Sequence, residues 1–338
     1  MGRHQAVADA RLRLTYAGNV YDRTLALITG AVRPAGIALN YLGLSSPEVF
    51  WRMLRFEDFD ASELSCANYF ALRSRGDTRF VAIPVFPSRT FRHSAVYVNT
   101  GAGIREPADL RGKRVGCPEY GMTMAIWVRA FLQHDCGVLP SDFTWVTGGV
   151  EDPGRRDRIP TRAPEGVRVQ PAPLDRSLSQ MLDTGDLDAL LSPSTPSVFR
   201  AGSQRVARLF PDFPRVEAEY YRRTGIFPIM HTVVLRREIY ERYPWAALSL
   251  YNAFVQAKQL ALDALHETDV LPVSLAWTAA YADQEAALIG RRLWEDGFEV
   301  NRRVLEALKG YLAEQGLLQN DFAVEDVFAA STLEVFRH

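Results

Sequence analysis

Apolar and polar residues alternate over residues 11–16, then apolar positions recur at helical spacing over 21–29, and this exchange of period two for period 3.6 repeats along the first third of the chain. Further strands are predicted at 37–42, 61–66, 80–86 and 94–98, with helices at 47–55 and 69–75 between them. Strands alternating with helices imply a mostly parallel sheet covered on both faces.

A second, smaller α/β unit follows. A helical turn is predicted at 107–110, a strand at 114–117, a helix at 123–134, a strand at 143–146, a helix at 177–184 and a strand at 189–191. Residues 150–173, rich in Pro, Gly and Arg, read as a surface excursion or hairpin. A strand at 232–235 leads back, and from residue 244 the pattern is helical almost to the end, broken at 271–272, 297 and 316. The expected fold is therefore α/β and two-lobed. Residues 1–95 and 228–338 form the first lobe with a helical C-terminal region, and 96–227 form the second. A ligand cleft between lobes follows, because loops at the carboxyl ends of parallel strands converge there.

Composition narrows the class. With 338 residues, 47% hydrophobic and 23% charged, the chain can bury a large core, which excludes disorder. Its 39 Lys+Arg against 40 Asp+Glu leave no general attraction to nucleic acid or an anionic membrane. Cys66, Cys117 and Cys136 are odd in number and lack CxxC spacing, against a disulfide framework or a structural zinc site. The amino-terminal stretch has no signal-like apolar run, and nowhere do 18 apolar residues follow one another. A reducing, cytoplasmic location is expected.

Candidate chemistry clusters at the lobe junctions. Arg89, Arg92 and His93 lie where the predicted strand at 80–86 passes to the crossover, and paired guanidinium donors there suit a carboxylate ligand. His231 ends the Pro-containing turn at the return crossover, where an imidazole can move a proton near neutral pH. Strand-end loops add Tyr16, Asn19, Asp22 and Arg23, then Ser65, Asn68 and Tyr69, then Glu119, Tyr120 and Thr123, with Ser194 in the loop 192–196 closing the second lobe's side. For each a plainer reading stays open: solvated arginines, a hinge histidine donating to a carbonyl, Asn19 and Thr123 as helix caps, Ser194 in a Pro-rich turn. Arg155, Arg156 and Arg158 lack interleaved aromatics and read as a solvated loop. Neither a P-loop, a zincin motif nor a nucleophile elbow is present. Whether His93, His231 and a carboxylate such as Glu119 or Asp22 bind a divalent metal is left open by their spacing.

Taken in order, these residues resemble the 4,5-dihydroxyphthalate decarboxylase family, within the type 2 periplasmic-binding-protein-like superfamily. The likeness runs through Tyr16-Ala-Gly-Asn-Val-Tyr-Asp-Arg23, Arg89-Thr-Phe-Arg-His93, Asp109-Leu-Arg-Gly-Lys-Arg-Val-Gly116, Tyr120-Gly-Met-Thr123, Phe227-Pro-Ile-Met-His231 and Leu293-Trp-Glu-Asp-Gly-Phe-Glu-Val-Asn-Arg302. It implies loss of CO2 from a small hydroxylated aromatic carboxylate, 4,5-dihydroxyphthalate giving protocatechuate, in the manner of phthalate breakdown, with no organic cofactor. Under it, Arg89, Arg92 and Arg23 bind carboxylates, His231 and His93 handle protons, and Tyr120, Thr123, Asn68 and Ser65 orient ring hydroxyls. The loop 192–196 carries no basic residue where relatives often have one, which extends the expected substrates to other hydroxylated benzoates. The rival reading is a solute-binding protein for an aromatic acid, since one cleft serves both classes. Thiamine-precursor synthesis on a similar fold would want a cofactor lysine and a cysteine-rich segment, for which the chain offers no candidates. The helical tail offers a face for a homodimer.

Overall fold

The computed structural model describes residues 11–155, 161–290 and 294–334. Most of the segment read above for a leader, together with Arg156, Arg158 and Leu293, lies outside them. The first lobe opens with β1 (Leu12–Gly18), α1 (Asp22–Ile28), β2 (Ile37–Gly43), α2 (Ser46–Phe56), β3 (Ala61–Ser65), α3 (Cys66–Ser74) and β4 (Phe80–Arg89). A short 3₁₀ turn at His93–Ala95 then carries the chain into the second lobe. There β5 (Val96–Asn99), β6 (Arg114–Cys117), α4 (Thr123–Cys136), β7 (Thr144–Thr147), β8 (Arg168–Pro171), α5 (Leu178–Thr184), β9 (Ala189–Leu191), α6 (Ser197–Arg200), β10 (Val206–Arg208) and α7 (Phe213–Thr224) follow. The return is through β11 (Ile229–Arg236), and α8 (Arg237–Arg242), α9 (Trp245–Ala264), α10 (Thr278–Ile289) and α11 (Phe298–Glu314) complete the helical region.

Two sheets result. The first has order β2-β1-β3-β11-β4 and the second β10-β5-β9-β6-β7-β8. In the first, β1 pairs parallel with β2 and β3, whereas β11 runs antiparallel between β3 and β4. That reversal matters for the site. The start of β11 lies beside the carboxyl end of β3, with His231 opposite Ser65.

The expected α/β class and the two-sheet division are present, and the sheets change where β5 begins and β11 returns. The excursion at 150–173 differs from a simple loop: its Arg168–Pro171 is β8, an exposed edge strand parallel to β7. Helix α4 welds the lobes. It is buried from Thr123 to Leu132, a mostly apolar stretch whose one charge, Arg129, is hydrogen-bonded to Gln315 and the Tyr120 carbonyl, and its Trp127 Nε1 donates to the carbonyl of Ile229 at 2.9 Å. One apolar cluster therefore runs from α2 and α3 of the first lobe through α4 to Trp145 of the second.

Candidate active site

The cleft holds a cavity of about 490 Å³ lined from both lobes, a volume suited to a small ligand. His231 lies on its wall at the mouth of β11. Its Nδ1 sits 2.5 Å from Oε1 of Glu63, whose side chain is wholly buried. Glu63 stands on β3 two residues before Ser65, and strand alternation sends both to one face. The same carboxylate accepts the Tyr21 hydroxyl at 2.7 Å and the Asn19 amide N–H at 2.9 Å. Burial alone would raise the Glu63 carboxyl. The neighbouring His231 charge, with the hydrogen bonds from His231, the Asn19 amide and Tyr21, outweighs it and holds that carboxyl below its ordinary value. Tyr21 shifts upward, through burial first and then the carboxylate beside it. Tyr21 is therefore a fixed donor, not a proton source at neutral pH.

An ionised carboxylate only accepts, so the Nδ1 facing it carries the hydrogen. This leaves Nε2 as the ring's working nitrogen. The Phe50 ring packs edge-on at 4.9 Å and fixes the imidazole plane.

Arg92 lines the same cavity, in the short segment after β4 ends. Its Nε donates to the Met230 sulfur at 3.3 Å, and among the described residues no carboxylate lies within ion-pairing distance of it. Burial lowers the guanidinium to about 10, with Glu217 opposing, so it stays charged at neutral pH. A half-buried cation with no carboxylate at ion-pairing distance suits an anion, and the cavity is where one can enter.

Ser65 caps α3 and its hydroxyl lies 2.8 Å from that of Thr123, the first residue of α4, so this pair ties the lobes at the cleft floor. Asn19, Asn68 and Ser194 complete the lining among the residues expected from sequence. The second lobe adds Glu119, which pairs with Arg155 at 2.9 Å. A larger depression of about 760 Å³ lies at the amino ends of β1 and β2, remote from this constellation.

Comparison with known proteins assigns the chain. No protein-family model matches it. It is 38% identical over 328 residues to a 4,5-dihydroxyphthalate decarboxylase of Comamonas testosteroni, covering 97% of this chain and 99% of that protein. A second 4,5-dihydroxyphthalate decarboxylase, from Pseudomonas putida, is 40% identical over 212 residues, covering 63% of this chain and 82% of the relative. The chain belongs to the 4,5-dihydroxyphthalate decarboxylase family. It is a carboxy-lyase, and the solute-binding reading gives way to the enzymatic one. The fold alone could not have decided this. The aliphatic sulphonate binding protein SsuA of Escherichia coli aligns with TM-score 0.55 at 13% identity over 95% of this chain and 98% of its own. The desulfurization enzyme DSZB aligns with TM-score 0.51 at 17% identity over 94% and 96%. Binding proteins and enzymes thus share the architecture of this decarboxylase.

Several residues expected in the site are placed elsewhere. Arg89 lies at the end of β4 and turns from the cavity: Nη1 donates to Asn301 Oδ1 at 2.9 Å and Nη2 to the Phe227 carbonyl at 2.8 Å, pinning α11 to the start of β11. Only Nε of Arg89 is buried without a partner. His93 stacks on Phe131 at 4.1 Å and meets Phe210 and Tyr220 edge-on, and burial presses its pKa down to about 4. It is a neutral packing residue at pH 7. Arg23 donates through Nε to the Pro87 carbonyl at 2.6 Å while its guanidinium lies over the Tyr21 and Trp294 rings. Tyr69 donates to the Val327 carbonyl, anchoring the C-terminal segment, and Tyr120 packs beneath the buried Arg129. Neither capping expectation holds: Tyr21 occupies the cap position of α1, and Met122 that of α4.

Glu63 and Tyr21 escaped the reading of the sequence. A signal for Glu63 existed, since a carboxylate inside a strand buried along its whole length is rare unless it is paired. For a metal, among the described residues no group of three His, Cys, Asp or Glu side chains is arranged to hold one.

Proposed function

We propose that the decarboxylase takes 4,5-dihydroxyphthalate to protocatechuate in this cleft, with His231 as the proton donor and Arg92 as a carboxylate anchor. The observation that carries the assignment is the buried Glu63 carboxylate at 2.5 Å from His231 Nδ1, with the same ring opening onto a cavity that Arg92 shares. Glu63 stabilises an imidazolium. That imidazolium delivers the Nε2 proton to the ring carbon bearing the departing carboxylate, assisted by electron release from the para hydroxyl. The C–C pair then returns to the ring, CO2 leaves, and the neutral imidazole regains a proton from water. One proton is consumed and one CO2 released, so no electron acceptor and no organic cofactor is needed.

Ser65, Thr123, Asn68 and Asn19 supply neutral donors and acceptors for ring hydroxyls, and Ser194 closes the opposite wall. Phe50, Met122, Met124 and Met230 give the wall around His231 and Arg92 an apolar share, while the second lobe's rim carries Glu151, Asp152 and the Glu119–Arg155 ion pair. The three free cysteines suit a reducing compartment, and we assign the enzyme to the cytoplasm. Among the described residues no helix is long and apolar enough to cross a membrane.

The test is turnover of 4,5-dihydroxyphthalate and a panel of hydroxylated benzoates, with and without chelator, followed by CO2 release in H2O and D2O. Protocatechuate carrying one deuterium at the vacated carbon is expected, at a rate unaffected by chelator. Tight binding without turnover would overturn the proposal in favour of capture.

A further inference from the structure

Residues 270–282, Val-Leu-Pro-Val-Ser-Leu-Ala-Trp-Thr-Ala-Ala-Tyr-Ala, contain no charge in a chain that is 23% charged, and they are not core. Val270 is 76% and Trp277 69% exposed, while Leu271, Val273, Leu275 and Tyr281 stand 40–50% exposed. The segment leads into α10, whose only buried residue is Thr278. At the far end of α10, Tyr221 Oη reaches the Ile289 carbonyl at 3.4 Å. A 12-residue helix is marginal in water by itself and takes its stability from packing an apolar face. Within this chain α10 has almost none.

We propose that residues 270–281 and α10 form the contact with a second copy of this chain. Area argues for that occupant. With whole-residue areas of roughly 150–250 Å², the six large side chains show on the order of 600 Å² to solvent. This reaches the top of the range of about 300–600 Å² for the largest apolar patch on a monomer. With the exposed Ala276 and Ala280 added, it approaches the ~800 Å² that each partner contributes to a standard interface. Composition points the same way. Aromatic and aliphatic side chains without charge characterise homodimer interfaces, and an uncharged patch can face its own copy across a two-fold axis without repulsion. A lipid surface fits less well: residues 266–290 hold no Lys or Arg, and Glu267, Asp269, Asp283 and Glu285 make the segment acidic.

The experiment is sedimentation velocity on the full chain at micromolar concentration, beside Trp277→Asp and Leu275→Asp. The wild type is expected to sediment as a dimer or a multiple of it, and each variant to self-associate at least about tenfold more weakly with an unchanged circular dichroism spectrum. Should a variant misfold, a photo-crosslinking aromatic at position 277 replaces it, and the crosslink is expected within 270–289 of the other copy. A wild type that stays monomeric, a dimer indifferent to both variants, or crosslinks mapping elsewhere would overturn the proposal. So would a monomer that co-sediments with phosphatidylcholine vesicles, which would give the patch to lipid.

Discussion

Replacing Glu63 with glutamine keeps the shape of the side chain and removes the charge behind His231. Three donors converge on the native carboxylate: His231 Nδ1, the Tyr21 hydroxyl and the Asn19 amide. An amide offers one acceptor oxygen. If it keeps His231 and Tyr21, its NH2 faces the Asn19 N–H, and one buried donor goes unpaired at a cost of about 1–3 kcal/mol of stability. A hydrogen bond to a charged group contributes about 1.5–3 kcal/mol, and that is what the imidazolium loses. Carried into the proton-transfer step, it is roughly 10- to 150-fold in kcat. KM should move little, because the carboxylate anchor is untouched. The stability loss also has a pH signature. Glu63 titrates below its unfolded value, so its contribution is complete above an unfolded pKa of about 4.3 and disappears as pH falls through the lower folded value. Urea midpoints of wild type and Glu63→Gln should therefore differ at pH 7, draw together once the pH falls below about 4.3 and meet only below the lower folded value. A variant that retains its fold and turns over within twofold of wild type would refute the role given to the pair.

Arg92→Met should weaken binding of unreactive phthalate by roughly 10- to 100-fold, as loss of a charge-assisted contact predicts, and leave the urea midpoint unchanged or higher because a half-buried cation without an ion-pair partner is gone. Titration calorimetry measures the first and denaturation the second. His93→Phe should retain turnover, since His93 faces Phe131 and not the cavity. With its pKa near 4 in the fold against about 6.5 unfolded, wild type should lose about 3 kcal/mol as pH falls from 6.5 to 4, and the variant should lack that part of the slope. Thr123→Val removes the partner of Ser65 and the acceptor for the Ala67 amide, so it should lower stability by about 1–2 kcal/mol by urea denaturation.

Where hydrophobic period and burial coincide, the fold was legible. The strands at 114–117 and 189–191 are read to the residue, because short runs bounded by turns bury there, from Val115 onward in the first and throughout the second. Elements that bury little left no period to read. The four residues of β8 are all exposed and lie in a Pro- and Gly-rich stretch, so they look like loop. Helix α7 buries only Glu217, Ala218 and Tyr220, and Pro214 in its first turn imitates a break, although proline is tolerated there. Such elements are set by what the chain packs against, and local composition does not carry that information.

The same distinction governs the site. Arg89 and Arg92 are three residues apart and chemically identical, yet β4 continues through Arg89 to pair with Ile229, which commits its guanidinium to the C-terminal helices. Arg92 falls just past the strand end and is released into the cleft. The two histidines divide in a related way. His93 begins the 3₁₀ turn between lobes, where aromatic rings of α4 and α7 enclose it. His231 enters β11 opposite Ser65, on the strand that runs against its neighbour β3, and Glu63 reaches it from that strand. Histidine at a crossover is thus a weak indicator of chemistry. Histidine opposite a strand end whose buried carboxylate can meet its ring is a far stronger one, and that condition belongs to strand pairing, a long-range property that residue types in order do not specify.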